Sequence, residues 1–412
     1  METMSRYLRL PVRVGSRYPW AKQWRKPSSQ GETLMGKPHR IALALQGGGV
    51  HGAFTWGVLD ALLDEAAAGN IEFVGVSGAS SGALTATAMV YGYHEGAAQP
   101  GPASARSRRM AEAARTKIRE LWETVARAAF WGGNPFVAAI GLAPGWNIDD
   151  TPAARWADVA GGNTPAAESG LATYLTAVLR DVLPEIPAIF ALPQEATPTL
   201  IVAATDIGEC RRQLFIDGAV SPDAVRASTN LPTSLHTVTI GDHHYWDGGY
   251  MGNPPLTPLV ERLREADAAD LLLVTLNPLH RDGPPPKGAR QVLDRLNEVA
   301  FNASLVHEVN AIETINRLVD AGMIKDPPPG QHPYRRVNLH RIHADEAMVK
   351  LGVYSKDAPA WDFLVYLRDL GRQAFTDSWA TIKPALGKRS SWDTNSVCDQ
   401  VLARKAITSR EK

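Results

Sequence analysis

Two units of strand, glycine turn and helix stand end to end within residues 41–91, and this repetition constrains the fold more than any other feature of the chain. Ile41-Ala42-Leu43-Ala44-Leu45 is apolar throughout, as a strand covered on both faces must be, and it stops at Gly47-Gly48-Gly49. Ala53 to Ala67 then carries Phe54, Val58, Leu59 and Leu62 at helical spacing. The second unit repeats the first: Phe73 to Val76 as a short apolar strand, Ser77 to Gly82 as the turn, and Ala83 to Tyr91 as a helix of small residues. Tandem units of this kind require parallel strands joined by crossover helices, so the chain is expected to be α/β.

From about Gly92 to Pro198 the sequence reads as helical with long loops, including helices over Lys117 to Phe130 and Ala172 to Leu183. Further strands are predicted at Thr199 to Ala204, Val238 to Ile240, Leu271 to Thr275 and Val337 to Ile342, with one or two amphipathic helices over Gln291 to Ala321. The reading divides the chain into a basic extension at 1–37, a catalytic-type domain at 38–383 with a helical insertion at about 94–198, and a polar, loosely held tail at 384–412. Met1 to Arg40 holds nine Lys or Arg against two Glu; it reads as a solvated extension, with contact to anionic head groups as the alternative.

Lys plus Arg (43) equals Asp plus Glu (43), so no global field favours nucleic acid. Cys210 and Cys398 are the only cysteines, which excludes a disulfide framework and gives no metal-ligand spacing. A reducing, cytoplasmic setting is the expectation. No signal-like apolar region follows the N-terminal charges, and no apolar run reaches the roughly 18 residues of a membrane span.

Gly78-Ala79-Ser80-Ser81-Gly82 matches G-x-S-x-G between an apolar strand and a helix, the setting in which a serine is presented on a tight turn. The following helix brings amide N–H groups and the positive end of its dipole beside the hydroxyl. Gly47-Gly48-Gly49-Val50-His51-Gly52 also satisfies G-x-G-x-x-G, the dinucleotide fingerprint. That use needs an acid ending the second strand to hold a ribose; Glu72 instead precedes the strand, and the strand ends in the serine turn. The remaining chemical use of bare glycine amides is an oxyanion hole. Asp247 lies in Tyr245-Trp246-Asp247-Gly248-Gly249-Tyr250, read as a turn whose glycines leave the carboxylate uncovered, although Asp-Gly alone commonly marks only a turn. Either a carboxylate or a histidine can activate a serine, so a Ser80-Asp247-His280 triad stays open beside a Ser80-Asp247 pair.

These motifs together resemble the patatin-like phospholipase family, whose pattern is a glycine-rich turn, a G-x-S-x-G turn and a late D-G-[GA]. Ala227-Ser228-Thr229-Asn230-Leu231-Pro232, Asp247-Gly248-Gly249 and Asn253-Pro254-Pro255 are similar to its A-S-x-x-x-P, D-G-G and N-x-P succession, and the resemblance spans about residues 40 to 280. It implies a three-layer α/β/α fold with a central, mostly parallel sheet. It further implies Ser80 as nucleophile, Asp247 as base, and the amides of Gly47, Gly48 and Gly49 as oxyanion donors, with Gly52, Gly78, Gly82, Gly248 and Gly249 supporting the turns. Substrates are then lipid or other acyl esters, with peripheral membrane contact and with neither metal nor cofactor. One departure is His51, where bacterial relatives usually carry Arg or Lys. The aromatic-rich segment from Trp122 to Trp156 is expected to pack in the core, with an acyl pocket or lid as the alternative. A lipid-binding or scaffold protein with vestigial motifs is the reading from another class.

Overall fold

Alternate residues of the first strand, β1 (His39–Leu45), enter two different cores. Ile41, Leu43 and Leu45 pack on one face with α1 (Ala53–Ala67), α2 (Ser81–Ala98) and α3 (Arg106–Trp131). Ala42 and Ala44 face the other side, with Leu259 and Leu263 of α4 (Thr257–Glu265) and Leu305 and Val309 of α5 (Ala289–Asp320). A strand apolar at every position is what a helix layer on each face demands. The last long helix, α6 (Trp361–Ala385), adds Phe363, Leu364 and Leu367 to the first core. Shorter helices are given below by their residues. The computed structural model describes residues 37–131, 135–159, 175–190, 197–232, 237–281, 285–324, 327 and 331–398. The expected basic extension up to residue 36, the start of the helix expected at Ala172 and residues 399–412 lie outside them.

The remaining strands are β2 (Ile71–Gly78), β3 (Thr199–Asp206), β4 (Arg211–Ile216), β5 (Val238–Ile240), β6 (His243–Asp247), β7 (Asp270–Val274) and β8 (Asn338–Ile342). They form one mixed sheet in the order β5-β6-β3-β2-β1-β7-β8, with β4 also paired to β3. The five strands from β3 to β8 along this path are parallel; β4, β5 and β6 are antiparallel to their neighbours. The fold is therefore the expected α/β architecture, with a mostly parallel sheet between helical layers.

One handover within the sheet decides where the site lies. β2 pairs with β3 from Gly75↔Thr199 to Gly78↔Val202, and then leaves the sheet. β6 takes up the same edge of β3 from Ala204↔Asp247 to Asp206↔Tyr245, because β4 already holds the opposite edge from Ile201 to Asp206. The chain that leaves β2 carries Ser80, and the last residue of the strand that replaces it is Asp247. The sequence reading placed Tyr245-Trp246-Asp247 in a turn; the structure corrects this to a strand ending at Asp247, with the turn beginning at Gly248.

Residues past Lys383 also depart from expectation. Leu386 is buried, and the N–H groups of Ser391 and Trp392 both donate to the Leu339 carbonyl at 3.1 Å. Ser390 Oγ accepts from Leu339 N–H at 3.0 Å. The polar composition that suggested a loose tail supplies partners for the exposed edge of β8. In the aromatic-rich segment, Trp122 is buried and Trp146 packs on Phe363, whereas Phe130 and Trp156 are each 70% exposed, so core packing accounts for only part of it.

Candidate active site

Ser80 is the second of the two residues between β2 and α2, and its backbone takes φ 55°, ψ −131°, a region that a residue other than glycine enters only at a cost of about 1–3 kcal/mol. The turn is forced by its neighbours: a Cβ on Gly78 would lie 2.5 Å from Ala83 N, and one on Gly82 would lie 2.2 Å from the Leu45 carbonyl. Tight apposition of α2 to the end of β2 requires Gly78, its apposition to the end of β1 requires Gly82, and Ser80 stands at the turn between them. Ser80 N–H is held at 3.1 Å by both the carbonyl and the hydroxyl of Ser228. The residue remains 7% exposed, at the N-terminus of an 18-residue helix whose dipole favours negative charge there.

Asp247 is fully buried. Its N–H donates to Asn230 O at 2.8 Å, its carbonyl accepts from Thr205 Oγ1 at 2.8 Å, and its Oδ1 accepts from Gly249 N–H at 2.8 Å. Oδ2 is buried and completes no hydrogen bond of ordinary geometry. Burial pushes the carboxyl up to about 7, a rise opposed by the Gly249 N–H and by the Ser80 hydroxyl, which faces the carboxyl as a donor. Gly248 and Gly249 are both close-approach positions: a Cβ would lie 2.0 Å from the Ala203 carbonyl or 2.5 Å from the Phe301 ring, respectively.

The glycine turn after β1 lies against this pair, a Cβ on Gly47 falling 2.5 Å from Ser80 Cβ. Of the three expected donors, Gly47 N–H is already bonded to Asn253 Oδ1 at 2.7 Å, and Gly48 N–H to Ser81 Oγ at 3.1 Å. Gly49, at φ 61° and exposed, has no hydrogen bond on its N–H among the described residues. Two of the three amides expected to be open, those of Gly47 and Gly48, thus already donate to side-chain oxygens. Gly52 packs on Ser81 and Trp122, fixing the start of α1 against α2.

No histidine hydrogen-bonds to Asp247 among the described residues. His280 is exposed, His243 Nδ1 is bonded to Asp206 at 2.7 Å, and His244 Nδ1 to Thr239 Oγ1 at 2.9 Å. His51 is buried with Nε2 2.8 Å from Ser355 Oγ; burial first, then Lys356 and Arg281, hold its pKa well below the ordinary value. Those two cationic side chains lie near enough to His51 to oppose its protonation. They line a cavity with His51 and with Glu298, whose carboxylate they bind at 3.4 and 3.0 Å.

Sequence reasoning missed Ser228, Asn230 and Asn253 as individual contributors. Their signal was present in the two motifs flanking Asp247-Gly248-Gly249, but only the folded backbone shows what each residue holds. No helix among the described residues is long and apolar enough to cross a membrane.

No curated protein matches the sequence. Among solved structures, the chain is similar to a crystal structure of VipD from Legionella pneumophila, at 13% identity and a TM-score of 0.32, over 83% of this chain and 67% of that one. The sequence profile of the patatin-like phospholipases matches residues 43–260, more than half of the 412 residues and the span that holds both Ser80 and Asp247. The chain belongs to the patatin-like phospholipase family.

Proposed function

We propose that the chain is a lipid acyl hydrolase that cleaves carboxylic esters through Ser80 as nucleophile and Asp247 as its base. Family membership supports lipid acyl hydrolysis in general terms. The observation that carries the finer reading is a strained, hydroxyl-bearing elbow facing a wholly buried carboxyl whose pKa lies near 7. A carboxylate of ordinary pKa is too weak a base to remove a seryl proton efficiently, and desolvation removes much of that handicap.

In this reading Asp247 accepts the Ser80 proton as the seryl oxygen attacks the ester carbonyl. The oxyanion is held by Gly49 N–H and by Gly48 N–H, which exchanges Ser81 Oγ for the substrate oxygen. Collapse expels the alcohol, which takes the proton from Asp247, and leaves an acyl-Ser80 ester. Water attacks that ester by the same route and releases the acid. No step calls for a metal or a cofactor. The exposed aromatics Phe130 and Trp156 suit contact with a lipid surface.

Labelling with a fluorophosphonate probe, together with turnover of p-nitrophenyl esters of graded chain length, tests the assignment. Wild type is expected to be tagged at Ser80 and Ser80→Ala to lose the tag. Asp247→Asn is expected to lose at least about 10³-fold in kcat, and His280→Ala to stay near wild type. An untagged wild type supports a non-catalytic lipid-binding protein, and an active Asp247→Asn removes Asp247 from the mechanism.

A further inference from the structure

Residues 46 and 47, which carry the chain from β1 into the glycine turn, are held by carboxamides from three separate parts of the fold. Gln46 Oε1 accepts from Leu276 N–H at 2.7 Å and Asn277 N–H at 2.8 Å, and Gln46 Nε2 donates to Asn302 Oδ1 at 3.2 Å. Gly47 is gripped on both sides by one side chain: its N–H donates to Asn253 Oδ1 at 2.7 Å, and its carbonyl accepts from Asn253 Nδ2 at 3.4 Å. Asn277 Nδ2 adds a second donor to the same carbonyl at 3.1 Å. Asn253 is fully buried, and its own N–H is fixed by Ser304 Oγ of α5 at 3.1 Å. Every one of these groups is neutral, so the grip itself does not change with pH.

A free glycine turn is the most mobile backbone a protein can offer, and a mobile donor is a poor oxyanion ligand. Here the mobility is removed one residue before the donors. Holding the Gly47 carbonyl fixes the peptide plane that also carries the Gly48 N–H, and holding the Gly47 N–H withdraws that donor from the reacting centre. We infer that Asn253 is a positioning residue for the acyl-transfer reaction, its carboxamide orienting the two peptide groups that flank Gly47 so that Gly48 and Gly49, and not Gly47, receive the oxyanion. This rests on the reading of Ser80 and Asp247 as the acyl-transfer pair.

The residue's two contacts have opposite polarity, which supplies a test that bulk destabilisation does not mimic. In Asn253→Asp an ionised carboxylate still accepts from Gly47 N–H, but its second oxygen faces the Gly47 carbonyl and repels it; protonation restores the donor. The ratio of kcat for Asn253→Asp to wild type is therefore expected to fall as pH rises from about 5 to about 9. Asn253→Ala is expected to lose about 10²-fold in kcat with KM nearly constant, and to lose fluorophosphonate reactivity in parallel, because both reactions place charge on the same oxygen.

Hydrogen exchange of the Gly47 amide reads the grip without any substrate. It is expected to quicken in Asn253→Ala while amides in β7 stay protected. A kcat ratio for Asn253→Asp that is flat with pH, or a loss in Asn253→Ala confined to KM, overturns the inference. A wild type that neither labels nor turns over esters, yet shows Gly47 exchange dependent on Asn253, instead overturns the acyl-transfer reading and leaves the grip standing.

Discussion

Ser228 holds Ser80 by its backbone: the Ser80 N–H is shared between the Ser228 carbonyl and hydroxyl, both at 3.1 Å. Two residues on, the Asn230 carbonyl takes the Asp247 N–H at 2.8 Å. One short segment, the end of the helix Pro222–Ser228 and the residues after it, thus ties both members of the proposed pair to a common frame. Removing one arm of the shared bond should relax the strained elbow without dismantling it. Ser228→Ala is expected to cost about 1 kcal/mol of stability and about fivefold in kcat, measured by thermal melting and ester turnover. Unchanged kcat would show that the carbonyl alone suffices.

The raised pKa of Asp247 fixes the sign of the pH–rate profile. The base must be ionised to take the Ser80 proton, and burial holds it protonated until about pH 7. Below that point kcat/KM is expected to rise tenfold per pH unit, levelling above about 7. A profile already flat at pH 5 would mean that the functional base has an ordinary carboxylate pKa.

Stability should move in the opposite direction. The folded protein binds a proton at Asp247 up to about pH 7, whereas the unfolded chain releases it near the ordinary value of about 3.9. More protons are bound in the folded state between those limits, so stability falls as pH rises through the window, by an amount on the order of 4 kcal/mol at most. Asp247→Asn abolishes this loss while its Oδ1 still accepts from Gly249 N–H. Its Tm is expected to exceed that of wild type at pH 8 and to converge with it near pH 4. Equal Tm values at pH 8 would refute the buried charge as a cost.

The parallel core of the fold was legible because β1, β2, β3 and β7 are buried on both faces and read as unbroken apolar runs. Ser80 was legible for a local reason, since the turn that presents it demands glycines at fixed spacing on either side. The strand β6 was not. Its five residues begin with two exposed histidines and end in an acid, and its strand character comes from pairing with the upper half of β3 after β2 has left. The grip of Asn253 on Gly47 lay equally out of reach, because it joins residues far apart in the chain through one carboxamide. Both misses are tertiary effects that no local pattern encodes.

Gly249 offers a test of how tightly the Asp247 turn is packed. A Cβ there would fall 2.5 Å from Cζ of Phe301, a ring on α5 that is 6% exposed. Gly249→Ala is therefore expected to cost about 1–3 kcal/mol by overpacking. The obstacle is a side chain and not backbone, so trimming it should relieve the clash. Phe301→Leu alone opens a small void and is expected to cost about 1–2 kcal/mol. Combined, the two changes should cost less than their sum by about 0.5–3 kcal/mol, read as a double-mutant cycle in thermal or denaturant melts. Strict additivity would place Phe301 out of contact with the turn.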